Sequence, residues 1–282
     1  MEINAEYIAE QLLEQGIYQE YKKAEKHLKL IKEEFRNRLN SYEGNRIEFF
    51  KHNLVAKFTR RKKYHYTDQI ALNDYLHSIG ILPAVVKISH KSINDNSELV
   101  KRLEPFRKQD KFYVRPTLKL EGRIDIIASC VTPLEHLDID SLAVLFNRFY
   151  EIYKKMQYLY AKAKEKMLHC PILQKEKKIN FNYGSLSLVK CQPVYDSYKI
   201  FNELGAEFLI SYGQVSLEKV QEYMLMGFLS ERDIDQYRIL VDILLSFHLL
   251  PLDVEQQMLG RFHDKRVITS LNSYLSSRRV DS

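Results

Sequence analysis

The densest chemistry in this chain lies at residues 57–66, KFTRRKKYHY. Here Lys57, Arg60, Arg61, Lys62 and Lys63 stand among Phe58, Tyr64, His65 and Tyr66. Lys and Arg neutralise phosphates and displace their counterions, and aromatic rings offer faces on which bases stack. As a strand, the run puts Lys57, Thr59, Arg61 and Lys63 on one face and Phe58, Arg60, Lys62 and Tyr64 on the other. Both faces carry charge, so the spacing predicts a hairpin arm reaching into water. The same composition would serve an edge strand guarded by lysines against aggregation. Further along, Arg102, Arg107, Lys108, Lys111 and Arg115 extend the basic character.

The other constellations are thinner. Asp125, in LEGRIDIIAS (120–129), could be presented to Mg²⁺ from a hydrophobic strand. Metal-dependent cleavage needs a second acidic residue and a lysine on the next strand, and CVTPLEHLDIDSL supplies neither at that spacing. Cleavage therefore ranks as a distant third reading. HLDID (136–140) lines up His136, Asp138 and Asp140, which is also ordinary capping chemistry with Asp140 as the expected N-cap. His263-Asp264 and His169-Cys170 have no second ligand pair, so no metal and no cofactor are expected. Gly-rich phosphate loops, nucleophile elbows and dinucleotide-binding signatures are absent from the sequence. VQEYMLMGFLSERDIDQYR (220–238) has a helix–turn–helix look, but Tyr223 stands where a tight helix crossing wants a small residue.

The elements that must position the basic run show an internal likeness. One helix carries apolar residues at Ile17, Tyr21, Ala24, Leu28, Ile31, Phe35 and Leu39. A second carries them at Leu142, Leu145, Phe149, Ile152, Met156, Leu159, Ala163 and Met167. Steps of three and four make these heptad seams, suited to an antiparallel pair within the chain or to pairing across a dimer axis. After each comes a hairpin pattern, RIEFFKHNLVAKF (46–58) and KINFNYGSLSLVKC (178–191), and then an amphipathic helix led by Asp68 or Asp196, each an expected N-cap. The copies lie 128 residues apart in the first helices and again in the last, which suggests a duplicated helix–hairpin–helix unit. Between Lys57 and Asp68 the first copy is five residues longer than the second, and Thr59–Lys63 fit the surplus.

Between the copies, ILPAVVKIS (81–89) reads as a buried strand, SELVKRLEPFRK (97–108) as a helix, and KFYVRPTLKLEGRIDIIAS (111–129) as two strands turning near Glu121-Gly122. After Gly213 the pattern reads as three helices, with Ser216 and Ser230 as expected N-caps and ILVDILLSFHLL (239–250) inside the second. The expected fold is α+β and predominantly helical: two related long-helix/β-hairpin/helix units with coiled-coil-like helices, a small antiparallel sheet insertion and a C-terminal helical bundle. The expected division is 1–129, 130–213 and 214–282.

Composition agrees with a helical protein. Of 282 residues, 45% are hydrophobic, 28% charged, and only 9 are Gly and 7 Pro, too few for the turns of a β-sandwich. Three cysteines at wide spacings suit free thiols, and no apolar run reaches membrane-span length, so a cytoplasmic location without membrane contact is expected. Net charge is +6, and it is regional: residues 46–123 hold 17 basic against 8 acidic side chains. The leading expectation is a non-catalytic protein that contacts DNA or RNA through the basic–aromatic hairpin. The alternative is a protein–protein adaptor or inhibitor that grips an acidic or helical partner, with self-association through the heptad helices.

Overall fold

The computed structural model describes residues 3–40, 42, 44–119 and 134–278, with side chains of the last helix described to 264 and at 267 and 268. In chain order, helices α1 (Ala5–Glu14) and α2 (Ile17–Arg38) lead to strands β1 (Arg46–Phe49) and β2 (Leu54–Tyr66), helix α3 (Gln69–Ser78), strand β3 (Val86–Ile88), helix α4 (Ser97–Leu103) and strand β4 (Phe112–Leu118). Then come α5 (Ile139–Leu168), β5 (Lys178–Phe181), β6 (Gly184–Lys190), α6 (Ser197–Leu204), α7 (Ala206–Tyr212), β7 (Gly213–Val215), α8 (Leu217–Leu225), β8 (Arg238–Pro251) and α9 (Leu252–Arg278). The fold is α+β and predominantly helical, with small antiparallel sheets. Long helix, hairpin and capped helix follow one another twice, in the expected order.

The chain forms two compact units, each discontinuous in sequence, whereas the sequence reading divides it into consecutive parts. The first comprises Met1–Thr59, Lys111–Cys191 and Phe247–Val254; the second comprises Arg60–Asp110, Gln192–Ser246 and Glu255–Ser282.

In the first unit α2 and α5 pack antiparallel, so the heptad seams are used within the chain. Tyr18 and Tyr21 near the start of α2 meet Tyr160 near the end of α5, at 5.5 and 5.3 Å between ring centroids. Farther along, Tyr21 stacks on Tyr153 and His27 on Phe149. At the far end Ile31 and Phe35 share one core with Leu142 and Phe146. The α5 seam keeps the expected Leu142, Phe149, Ala163 and Met167 and runs between them through Phe146, Tyr153 and Tyr160, each one residue on from the expected Leu145, Ile152 and Leu159. Ring area decides it: an aromatic buries more surface than its aliphatic neighbour, and paired rings add a further contribution. Arg38, at the end of α2, donates to the carbonyls of Leu134, Glu135 and Leu137, pinning the turn that feeds α5.

Both hairpins belong to this unit, and β4 completes the second, in the order β4–β6–β5. Gly184 opens β6 at φ 144°, and a Cβ there would stand 2.1 Å from the Thr117 carbonyl oxygen, so only glycine lets β4 approach. The strand expected at 111–119 is therefore β4. Its expected partner at 120–129, with Asp125, lies outside the described residues.

In the second unit α3, α6, α7 and α8 surround a core of Leu72, Leu76, Leu82, Val85, Ile200 and Leu209. ILPAVVKIS is a helical turn (Leu82–Val85) followed by β3, which pairs with β7. Asn73 is fully buried, and its amide donates to the carbonyls of Ile210 and Gly213 at 2.9 Å, satisfying groups that α7 leaves open at its end. Asp68 and Asp196 cap α3 and α6 as expected. The cap of α5 is Asp138, which accepts from Ser141 N–H, and not Asp140. Ser216 stands at the N-cap position of α8, and Ser230 closes a capping box with Asp233.

The expected C-terminal helical bundle is corrected. Of the three helices expected after Gly213, the first and third form, as α8 and α9; between them only Glu231–Asp235 are helical, and Arg238–Pro251 is strand β8. Its run of Ile, Leu and Val has no polar face for a helix to turn to water, and β2 offers it a ladder to pair with. A five-residue helix is also too short to act as a DNA-reading helix.

The helix pair can be tested in two ways. Phe35 is fully buried and meets Phe49 edge-on at 5.7 Å; Phe35→Ala should lower unfolding free energy by about 3–5 kcal/mol, read from urea titration. His27 is held below its ordinary value of 6.5 by burial first and then by Lys23 and Lys26. The unfolded chain takes up a proton near that value which the folded chain accepts only at lower pH. Stability is thus intact above it and declines as pH falls through it. The urea midpoint should drop between about pH 7.5 and 5.5, and His27→Phe should shrink that drop.

Candidate polyanion-binding arm

Strand β2 is 13 residues long, against 7 for β6, and the surplus contains the basic run. Its first part is built into the first unit: Leu54, Val55 and Ala56 are buried, and β1 pairs with Leu54–Lys57. β8 is the other neighbour of β2. Phe58 packs on Phe247 at 5.0 Å, and Thr59 Oγ1 lies 2.9 Å from His248 Nε2. Lys57 is partly buried opposite Arg46. Burial first, then Lys57 and Lys32, holds the His248 imidazole below its usual value. The surplus thus has a structural use, since its backbone carries the pairing with β8.

The second part belongs to the second unit. Arg60, Arg61, Lys62 and Lys63 are all exposed, and none makes an ion pair among the described residues. The rings that follow are engaged. Tyr64 lies under the Arg238 guanidinium, 3.8 Å from its centroid, and Arg238 is pinned by Asp235 at 2.7 Å and Glu231 at 3.8 Å. With 6% of its side chain exposed, Arg238 is a fixed lid on that ring. Tyr66 packs against the core of the second unit; burial pushes its phenol up, and nearby Arg238 pulls it back. Thr67 N–H donates to the Tyr237 carbonyl, closing the strand. The arm therefore offers cations to solvent, whereas Tyr64 and Tyr66 serve packing.

The remaining expected residues divide between the units. In the second, Arg102 is exposed over the Phe208 ring, Arg107 is engaged by Asp110 and Glu104, and Lys108 pairs with Asp196 at 3.5 Å. In the first, Lys111 is exposed, and Arg115 donates to the Tyr113 hydroxyl at 2.7 Å. Arg107 and Lys108 thus hold a loop together.

Of the weaker constellations, Asp138 and Asp140 make local contacts. Asp140 accepts from His52 at 2.9 Å and Lys51 at 3.2 Å, and these partners hold its carboxyl below the usual range. Asp138 is held low by its hydrogen bonds with Ser141, the side chain first and then the backbone N–H. Cys170 is a buried free thiol and Cys191 a partly buried one. Among the described residues, no three His, Cys, Asp or Glu side chains are grouped to hold a metal ion, and no helix is long and apolar enough to cross a membrane.

Sequence reasoning missed β8, which frames the arm, and the Arg238 lid. The available signal was the start of RILVDILL, where β-branched residues cluster as strands prefer. Compared with known proteins, the chain matches no family model, no curated protein and no solved structure.

Proposed function

We propose that the protein is a non-catalytic polyanion binder that contacts DNA or RNA through Arg60, Arg61, Lys62 and Lys63. The observation that carries this reading is four consecutive exposed cations, free of acidic partners among the described residues, on a hydrogen-bonded strand. Alternation sends two to each face, so the arm addresses phosphates on both sides. A strand also loses less freedom on binding than a disordered basic tail would. Because Arg238 covers one face of Tyr64 and Tyr66 is packed inward, recognition falls on the phosphate backbone, with little base stacking. An acidic protein would meet the same four cations and is the competing partner.

Residues 59–63 lie within the ladder, so substitution tests this reading more cleanly than deletion. Fluorescence anisotropy with labelled single- and double-stranded oligonucleotides would be followed across a salt series. Replacing all four cations with Gln should flatten the slope of log affinity against log salt by about 0.7–0.9 for each phosphate that is no longer neutralised. Tyr64→Leu should change thermal stability and leave the slope unaltered. Equal slopes for wild type and the Gln variant, or no binding by either, would remove nucleic acid as the partner.

A further inference from the structure

The other strand of the arm presents a different surface. Six of the seven residues 239–245 are large and apolar, namely Ile239, Leu240, Val241, Ile243, Leu244 and Leu245, and each is 45–53% exposed. Consecutive strand residues face opposite ways, so apolar side chains stand on both faces. β8 also ends the sheet order β1–β2–β8, so its outer edge has no strand neighbour among the described residues. Soluble proteins blunt such edges with charge, proline or a covering element, and this one carries a single charge, Asp242, within 239–247.

A second uncovered element follows directly. In α9, Met258, Leu259 and Phe262 are spaced to share one helix face and are 58–59% exposed. The helix spans 27 residues, and every side chain described from Gln256 onward is exposed. A helix this exposed draws little stability from propensity alone and gains most from a partner surface.

We propose that two copies of the chain associate through β8, edge to edge and antiparallel, with α9 of each copy contributing to the cover of the exposed apolar side chains. Charge and area choose a second copy. An acidic partner would seek Arg60–Lys63, whereas β8 between 239 and 247 is nearly uncharged and matches a strand equally apolar. Antiparallel pairing of one strand with itself is two-fold symmetric, so each copy presents the same patch to the other. Six half-exposed side chains offer on the order of 500 Å² per copy, in the upper part of the range for the largest apolar patch on a monomer, where such patches often mark interaction sites. The two strands together present about 1,000 Å² of apolar side chain, of the order a specific interface buries; edge pairing covers part of it and α9 of each copy adds to the cover.

The inference is independent of nucleic-acid binding, and its test reads mass. Sedimentation equilibrium of the full chain from about 1 to 100 μM should give twice the 33.5 kDa chain mass. The double variant Leu240→Lys/Leu244→Lys should shift the dissociation constant upward at least 100-fold. Both positions are half exposed, so circular dichroism should show the variant folded. Met258→Lys/Phe262→Lys should weaken the dimer by a smaller factor, and replacing Arg60–Lys63 with Gln should leave it intact. A wild type monomeric at 100 μM overturns the proposal, as does an open-ended series of larger species. A dimer that survives both lysine double variants overturns it too.

Discussion

The arm depends on one pairing, that of a strand crowded with positive charge against a strand almost without it. Side chains two apart on a strand face stand about 7 Å from each other, where two like charges repel by roughly 0.6 kcal/mol in water. Arg60 with Lys62 and Arg61 with Lys63 each carry that penalty, and a cationic neighbour strand would multiply it. β8 places Ile, Leu and Val beside the run, with Asp242 as the single charge from 239 to 247, so the ladder forms without adding repulsion. The neutrality that stabilises the basic strand leaves its partner apolar and exposed.

That arrangement also explains where the aromatic rings go. A charged strand must be anchored where it meets the core, and here aromatic contacts do so at both ends. Phe58 meets Phe247 at one end; Tyr64 under Arg238 and the inward Tyr66 hold the other. Arg238 is held by Asp235 and Glu231, so its own charge is compensated locally and adds little to the field of the four exposed cations. Mixed basic and aromatic composition thus separates by role: rings fix the strand and cations meet solvent.

Much of the fold was legible because it rests on local rules. Asp68 and Asp196 precede amphipathic runs and cap them, and the three-four spacing of α2 and α5 marks helices that pack along a seam. On α5 every second seam position moved by one residue because two apolar stripes adjoin there, and ring stacking with a partner more than 100 residues away chose between them. β8 was read as helix for a related reason. A run apolar at nearly every position satisfies helix and strand templates alike, and what decides is a ladder with β2, about 180 residues earlier in the chain. The basic run was legible from composition alone, but that Tyr64 and Tyr66 are taken up by packing was not. The lid on Tyr64 comes from Arg238, which local sequence cannot place over it.

Charge on one strand and apolar surface on the next are then two consequences of one sheet. A monomer gains nothing from leaving β8 uncovered, since hydrophobic surface in water costs about 25 cal/mol per Å² and invites disordered association. Covering it with a second β8 would continue the ladder from copy to copy and keep the like-charged strands at the outside. Three strand spacings, about 14 Å, would separate the two basic runs, beyond the Debye length of about 8 Å at physiological salt. Two such runs would repel each other weakly while both remained open to one polyanion, so pairing of the apolar edges and display of the cations are compatible by construction.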